Sequence, residues 1–147
     1  MGHACSICFD KKDKTKDIKI KELLESSKTI AIVGISRDEE STSNKCGAYL
    51  KKHGFVVIPV NPNAEKIIGL SSMKSLGDIK EKVDIINVFR PKEEAGQIAT
   101  SAAKINAKAI WLQEGITSKK AENIAKKHNI SFIQNRCIYK EHKKLCR

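Results

Sequence analysis

The chain has 147 residues, 40% of them apolar, enough for one domain with a real core, and no apolar run nears the roughly 20 residues of a membrane span. Its formal net charge of +11 favours anionic ligands without choosing among nucleic acid, a phosphate cofactor and a membrane surface. Only 5% of the residues are aromatic and they do not interleave with basic residues as base-stacking surfaces require, so nucleic acid is not expected as a partner.

In chain order, residues 1–27 read as an N-terminal extension, expected to be flexible. The stretch "HACSICFDKKDKTKDIKIKELLESS" carries a cysteine pair, a lysine-rich run and a short amphipathic segment. Five cysteines, an odd number, behind a start too polar for export, predict a reducing compartment and a cytoplasmic protein. A membrane-attached alternative rests on the first six residues, "MGHACS", which fit the myristoylation pattern with Cys5 available for palmitoylation. Cys5 and Cys8, with His142 and Cys146 four residues apart near the other end, have the donor types for a tetrahedral zinc site. Each half is a low-specificity signal, and free thiols are the expected state.

From residue 28 to 147 the pattern is that of a domain. The apolar runs "TIAIVGI", "FVVIPVN", "VDIINVFR", "AKAIWLQ" and "ISFIQN" read as strands. Helical patterns lie between them. "SNKCGAYLKKHG" stops at Gly54, Pro91 opens "KEEAGQIATSAAKINA" with acids in its first turn, and Ser118 caps "KKAENIAKKHN". A short helix, "IYKEHKKLC", closes the chain. Near-continuous apolar strands alternating with helices predict an α/β fold: a Rossmann-like, doubly wound parallel sheet of about five strands in three layers.

Such sheets bind ligands beyond the carboxyl ends of their strands. The residues there are Gly34-Ile35-Ser36, Asn61-Pro62, Phe89-Arg90, Gln113-Glu114-Gly115 and Asn135-Arg136-Cys137. Gly34 permits close approach of backbone to a phosphate, and the next helix start offers free amides. Hydroxyls of Ser36, Ser41, Thr42 and Ser43, with Lys45, are candidates for an anion cradle; the alternative is an ordinary loop with a serine cap. The nicotinamide fingerprint is absent, because Ser36 stands where Gly-x-Gly needs its second glycine and "VNPN" lacks the ribose-binding acid.

Taken together, "VGIS", "VIPVNPNAEKIIG", "VDIINVFRP", "AIWLQEGI" and "NRC" resemble, in order and spacing, the small single-domain CoA-binding proteins. These are similar to the CoA-binding domain of succinyl-CoA synthetase alpha subunits and of ADP-forming acyl-CoA synthetases. The resemblance runs from about Lys28 to Leu145 and implies coenzyme A or an acyl-CoA as ligand. It implies that Gly34, Ile35, Ser36, Ser43 and Lys45 hold the pyrophosphate and 3′-phosphate side. Asn61, Pro62 and Lys66 would flank the nucleotide, with Val88, Phe89, Arg90 and Pro91 as the wall against the adenine. Gln113, Gly115 and Ile116 would meet the pantetheine arm. Lys45, Lys66 and Arg90 suit a ligand with phosphates.

The synthetases continue into a domain with a phosphorylated histidine. None of His3, His53, His128 or His142 has a context that suggests a replacement, and no Ser-His-Asp order, paired strand-end carboxylates or Walker loop is present. The expected function is therefore a CoA-binding carrier or sensor without chemistry of its own. The alternatives are one subunit of a split acyl-CoA ligase, or a regulatory module that has lost its ligand; a homodimer is open. By the same resemblance Cys137 stands where the CoA thiol would end, beside Arg136 as a candidate thiolate stabiliser, so a CoA mixed disulfide is a hypothesis. Cys46, early in the first helix of the domain, competes with it; the plainer reading is a small buried packing residue.

Overall fold

The computed structural model describes residues 15–146. Helix α1 covers residues 15–26, and a regular alternation follows: β1 (Thr29–Val33), α2 (Thr42–Lys52), β2 (Val56–Val60), β5 (Ile85–Val88), α3 (Lys92–Lys104), β6 (Ala109–Leu112), α4 (Lys119–Lys127), β7 (Ser131–Ile133) and α5 (Ile138–Leu145). Between β2 and β5 come two short strands, β3 (Lys66–Ile67) and β4 (Leu70–Ser71).

The five long strands form one parallel sheet in the order β2-β1-β5-β6-β7. The chain winds outward from β1 to β2, then returns to β5 on the other side of β1. The order therefore reverses between β1 and β5, and a crevice opens there at the carboxyl edge. This is the doubly wound, Rossmann-like sheet expected from the strand and helix pattern.

Strand alternation sends neighbouring residues to opposite faces. Ala31, Ile86, Val88, Ile110 and Leu112 join one buried cluster with Ala95, Ala99 and Ala102 of α3 and Ala121 and Ala125 of α4. Alanines let these two helices sit close: a Cβ on Gly96 would lie 2.7 Å from the Lys120 side chain. Ile30, Ile32, Ile85 and Trp111 face the other way, onto Cys46 and Leu50 of α2 and Ile138 of α5. Ile20, Leu23 and Leu24 of α1 complete this second cluster, so the amphipathic segment of the extension packs on the domain. Among the described residues no helix is long and apolar enough to cross a membrane.

Two local features differ from the periodicity. β3 and β4 pair as an antiparallel ribbon, turning through Ile68 (φ 49°) and Gly69 (φ 75°). Both central residues are left-handed, as a tight hairpin requires, but Ile68-Gly69 lacks the usual Asn-Gly signature. Pro59 lies within β2, which tolerates it because β2 is an edge strand.

Asp84 ties the amino ends of the strands together. Its Oδ2 accepts from the amides of Lys28 (2.8 Å) and Thr29 (3.1 Å). Burial pushes its pKa up, but those amides and the charges of Lys108 and Lys82 outweigh that and hold the carboxyl below its ordinary value. A depressed folded-state pKa means the stabilisation is complete above the unfolded value, about 3.9, and is lost as pH falls through the lower folded one. Asp84→Asn should therefore cost about 1 kcal/mol at pH 7, with the difference from wild type shrinking below pH 4 in urea unfolding. A constant difference from pH 7 to 3 would contradict this assignment.

Candidate functional site

The crevice starts at Gly34, where β1 ends. Its φ is +87°, and its amide donates to the Val60 carbonyl at 3.0 Å. A Cβ there would lie 2.6 Å from Arg90 Cδ and 2.7 Å from the Phe89 carbonyl oxygen. Only glycine allows β1, β2 and β5 to end this close together.

The loop that follows is held from three sides. Asn61 Nδ2 donates to the Ile35 carbonyl (2.9 Å), the Ser36 amide donates to Ser43 Oγ (2.9 Å), and Asn44 Nδ2 donates to the Ser36 carbonyl (2.8 Å). Ser41 caps α2 by accepting from the Asn44 amide at 3.2 Å. The serines thus serve loop and helix geometry first: Ser43 Oγ already accepts one hydrogen bond. Ile35 and Val88 are wholly buried, backbone and side chain alike, so both shape the strand ends from within and present no surface to a ligand.

Three clefts line up along the carboxyl edge of the sheet. The first, about 340 Å³, lies between the ends of β1 and β2 and helix α3, and includes Gly34, Asn61, Pro62, Lys74, Arg90 and Ile98. The second, about 430 Å³, includes Thr42, Phe89, Arg90, Pro91, Gln113 and Ile116. The third, about 390 Å³, includes Glu114, Gln134, Asn135, Cys137 and Lys140. Arg90 borders the first two, and Glu114 borders the second and third. Gly115 adjoins this path, its amide donating to Asn135 Oδ1 at 2.7 Å. Lys45 and Lys66 are exposed on α2 and β3 and border none of these three clefts.

Arg90 is the cation at the junction of the first two clefts. It makes two hydrogen bonds to Glu94, Nε to Oε1 at 3.1 Å and Nη2 to Oε2 at 2.7 Å. The pair holds Glu94 below the usual carboxylate range and Arg90 above its own. An anion would meet a guanidinium already oriented by its neighbour, and would compete with that neighbour for it.

At the far end Cys137 stands at the N-cap of α5. The neighbouring Cys46 side chain is the main cause that lowers the Cys137 pKa to about 5; burial opposes this. Lesser contributions come from the Lys140 and Tyr139 amides, too loosely placed for a true cap bond, and from the Gln113 side chain. The same contact, with burial, pushes the Cys46 thiol far up. Arg136, the thiolate stabiliser suggested by adjacency in sequence, is instead engaged with Glu141 and lies 3.7 Å from Asp17. Burial and the neighbouring thiol push Cys46 up, which favours Cys137 as the thiolate of the two.

Two buried amides stand out. Gln113 is 5% exposed, and its Oε1 has no partner. Asn87, wholly buried in β5, has neither amide atom paired. The signal for Asn87 was a lone polar residue inside the apolar run "IINVF"; Lys74 and Ile98 carried none.

Of the weak zinc candidates, Cys5 and Cys8 lie outside the described residues. His142 Nδ1 shares a 2.8 Å hydrogen bond with Tyr49 Oη, and Cys146 is partly buried. Among the described residues no group of three or more His, Cys, Asp or Glu could hold a metal ion.

Comparison with known proteins gives this geometry a context. The family model described as "CoA binding domain" matches residues 28–143. The chain is 33% identical over 124 residues to the uncharacterized protein YneT of Bacillus subtilis, covering 84% of this chain and 92% of that protein. It is 32% identical over 118 residues to the ADP-forming acetate–CoA ligase II of Archaeoglobus fulgidus, covering 72% of this chain but only 18% of the ligase. Among solved structures, a hypothetical protein from Pyrococcus horikoshii superposes with a TM-score of 0.87 at 32% identity, over 89% of this chain and 92% of that one.

Proposed function

The chain belongs to the CoA-binding domain family, and on that premise we propose that it binds coenzyme A or an acyl-CoA along the three clefts, as a carrier or sensor without ligase chemistry of its own. The observation that carries this reading is the adjacency of the clefts. Arg90 and Glu114 each border two of them, so neighbouring clefts follow one another from the glycine turn at Gly34 to Cys137.

A long ligand with phosphates at one end and a thiol at the other matches that polarity. The nucleotide end would lie by Asn61 and Pro62, its phosphates near the Gly34–Ser36 backbone, Lys74 and Arg90. Lys45 and Lys66 would add charge from the rim. Phe89, Pro91 and Ile116 offer apolar contact, and the free Oε1 of Gln113 could accept from an amide of the pantetheine arm. The sulfur would end near Cys137, where exchange with CoA disulfide would leave a protein–CoA mixed disulfide and release one CoA thiolate. In this reading the protein is cytoplasmic.

A second reading, a component of a split acyl-CoA ligase, is favoured by the match to the acetate–CoA ligase. Among the described residues no histidine borders the three clefts, and on this reading the one to be phosphorylated is brought to them by a partner chain.

Native mass spectrometry after incubation with CoA, with NAD as control, tests the main reading. A one-to-one CoA complex with no NAD complex is expected, and Arg90→Ala should weaken it roughly ten- to a hundredfold, the effect of about 1.5–3 kcal/mol for a charged hydrogen bond. No CoA complex would turn the reading toward a module without its ligand, and equal retention by Arg90→Ala would move the bound CoA away from the clefts that Arg90 borders. Nucleotide-dependent acyl-CoA formation that appears only with a partner chain would favour the ligase component.

A further inference from the structure

We propose that Cys137 and Cys46 are an exchanging dithiol, in which Cys137 attacks a low-molecular-weight disulfide and Cys46 resolves the product into a Cys46–Cys137 bridge. The inference rests on the CoA reading only in naming CoA disulfide as the favoured oxidant.

The two cysteines come from different elements, α2 and the N-cap of α5, and belong to one buried cluster in which each side chain acts on the other. Their positions are unequal. Cys137 borders the third cleft, whereas Cys46 is 1% exposed and lies in none of the three. One thiol is thus within reach of a small molecule and the other waits behind it. Each thiol is the largest side-chain influence on the other, so the resolving group is the neighbour of the sulfur it would attack. The Gln113 side chain also bears on Cys137, and its Oε1 has no partner.

The exchange balances. The Cys137 thiolate attacks one sulfur of R–S–S–R, forming Cys137–S–S–R and releasing RS⁻. Cys46 then attacks Cys137 Sγ, forming the bridge, while its proton goes to the departing second RS⁻. The protein dithiol loses two electrons and the small disulfide gains them as two thiols. Thioredoxin-type reduction, or excess small thiol, would restore the starting state.

The full chain is treated with hydroxyethyl disulfide or with CoA disulfide, quenched in acid, alkylated and mapped by peptide mass spectrometry. A peptide pair linked through Cys46 and Cys137 is expected in the wild type with either reagent, forming at least tenfold faster with CoA disulfide. In Cys46→Ser, and in Cys46→Ala as a second variant, the mixed disulfide on Cys137 should persist at least tenfold longer. Modification of Cys46 before Cys137, or a wild-type mixed disulfide as long-lived as in both variants with no linked peptide, would overturn the proposal. Equal rates with the two reagents would leave the dithiol standing and count against the CoA site. Absence of any reaction, with CoA still retained in native mass spectrometry, would sink the dithiol alone.

Discussion

Gly34→Ala is expected to abolish CoA retention and to lower stability by about 3 kcal/mol, a fall in Tm of roughly 10 °C. Two costs combine. The residue sits at φ +87°, where a side chain is strained, and the new methyl would meet the Phe89 carbonyl oxygen at 2.7 Å and Arg90 Cδ at 2.6 Å. The arginine stem can swing away, but the carbonyl belongs to the end of β5 and can yield only if the strand end moves. That movement would carry Arg90 out of register with the Gly34–Ser36 backbone and separate the first cleft from the second, which it now joins. Gly115→Ala is the control. Its φ is +90° but nothing lies within 4 Å of the added methyl, so it should show the strain alone. Thermal unfolding with a CoA titration checks both. A Gly34→Ala protein with the stability of Gly115→Ala and undiminished CoA binding would mean that the close approach at Gly34 does not shape the site.

The legible features of this fold were those written in local periodicity. Five apolar runs separated by capped helices leave few ways to wind a parallel sheet, and the strand-end rule then points to Gly34, Asn61, Phe89-Arg90, Gln113 and Cys137 without any contact being known. The β3–β4 ribbon escaped because two-residue strands have no period and its turn is Ile68-Gly69. Burial of α1 escaped as well: an amphipathic stripe says that a face exists, not what covers it. Within the candidate site, charge and adjacency were the weakest guides. Lys45 and Lys66 carry the right sign, yet their helix and ribbon leave them at the rim. Arg136 is next to Cys137 in sequence, but its guanidinium is engaged with Glu141. The side chain that bears most on Cys137 is Cys46, 91 positions away and brought to it by the packing of α2 on α5. Such a contact has no local signature, and so the two cysteines read as rivals until the fold put them together.

Trp111→Ala should be the costliest single change in the second core cluster, about 3–5 kcal/mol. The indole is fully buried on β6, among Ile32, Ile85 and Ile138, and its Nε1 donates to the Arg136 carbonyl at 2.8 Å. Removing it leaves a large hole and an unpaired carbonyl one residue before Cys137. Trp111→Phe separates the two effects. It keeps most of the volume, so its cost should be nearer 1–2 kcal/mol, chiefly the lost hydrogen bond. Denaturant unfolding measures the sum, and hydrogen exchange of the α5 amides measures where it falls. If the indole N–H positions the start of α5, Trp111→Phe should speed exchange at Glu141, whose amide donates to the Cys137 carbonyl at 2.9 Å, while leaving the α3 and α4 amides on the opposite face unchanged. A uniform acceleration across both faces would assign the indole to bulk packing. A Trp111→Ala cost below about 1 kcal/mol would contradict its place in the core. In the first case the same variant should also slow reaction of Cys137 with small disulfides, because that hydrogen bond is one of those that hold the turn presenting the thiol to the third cleft.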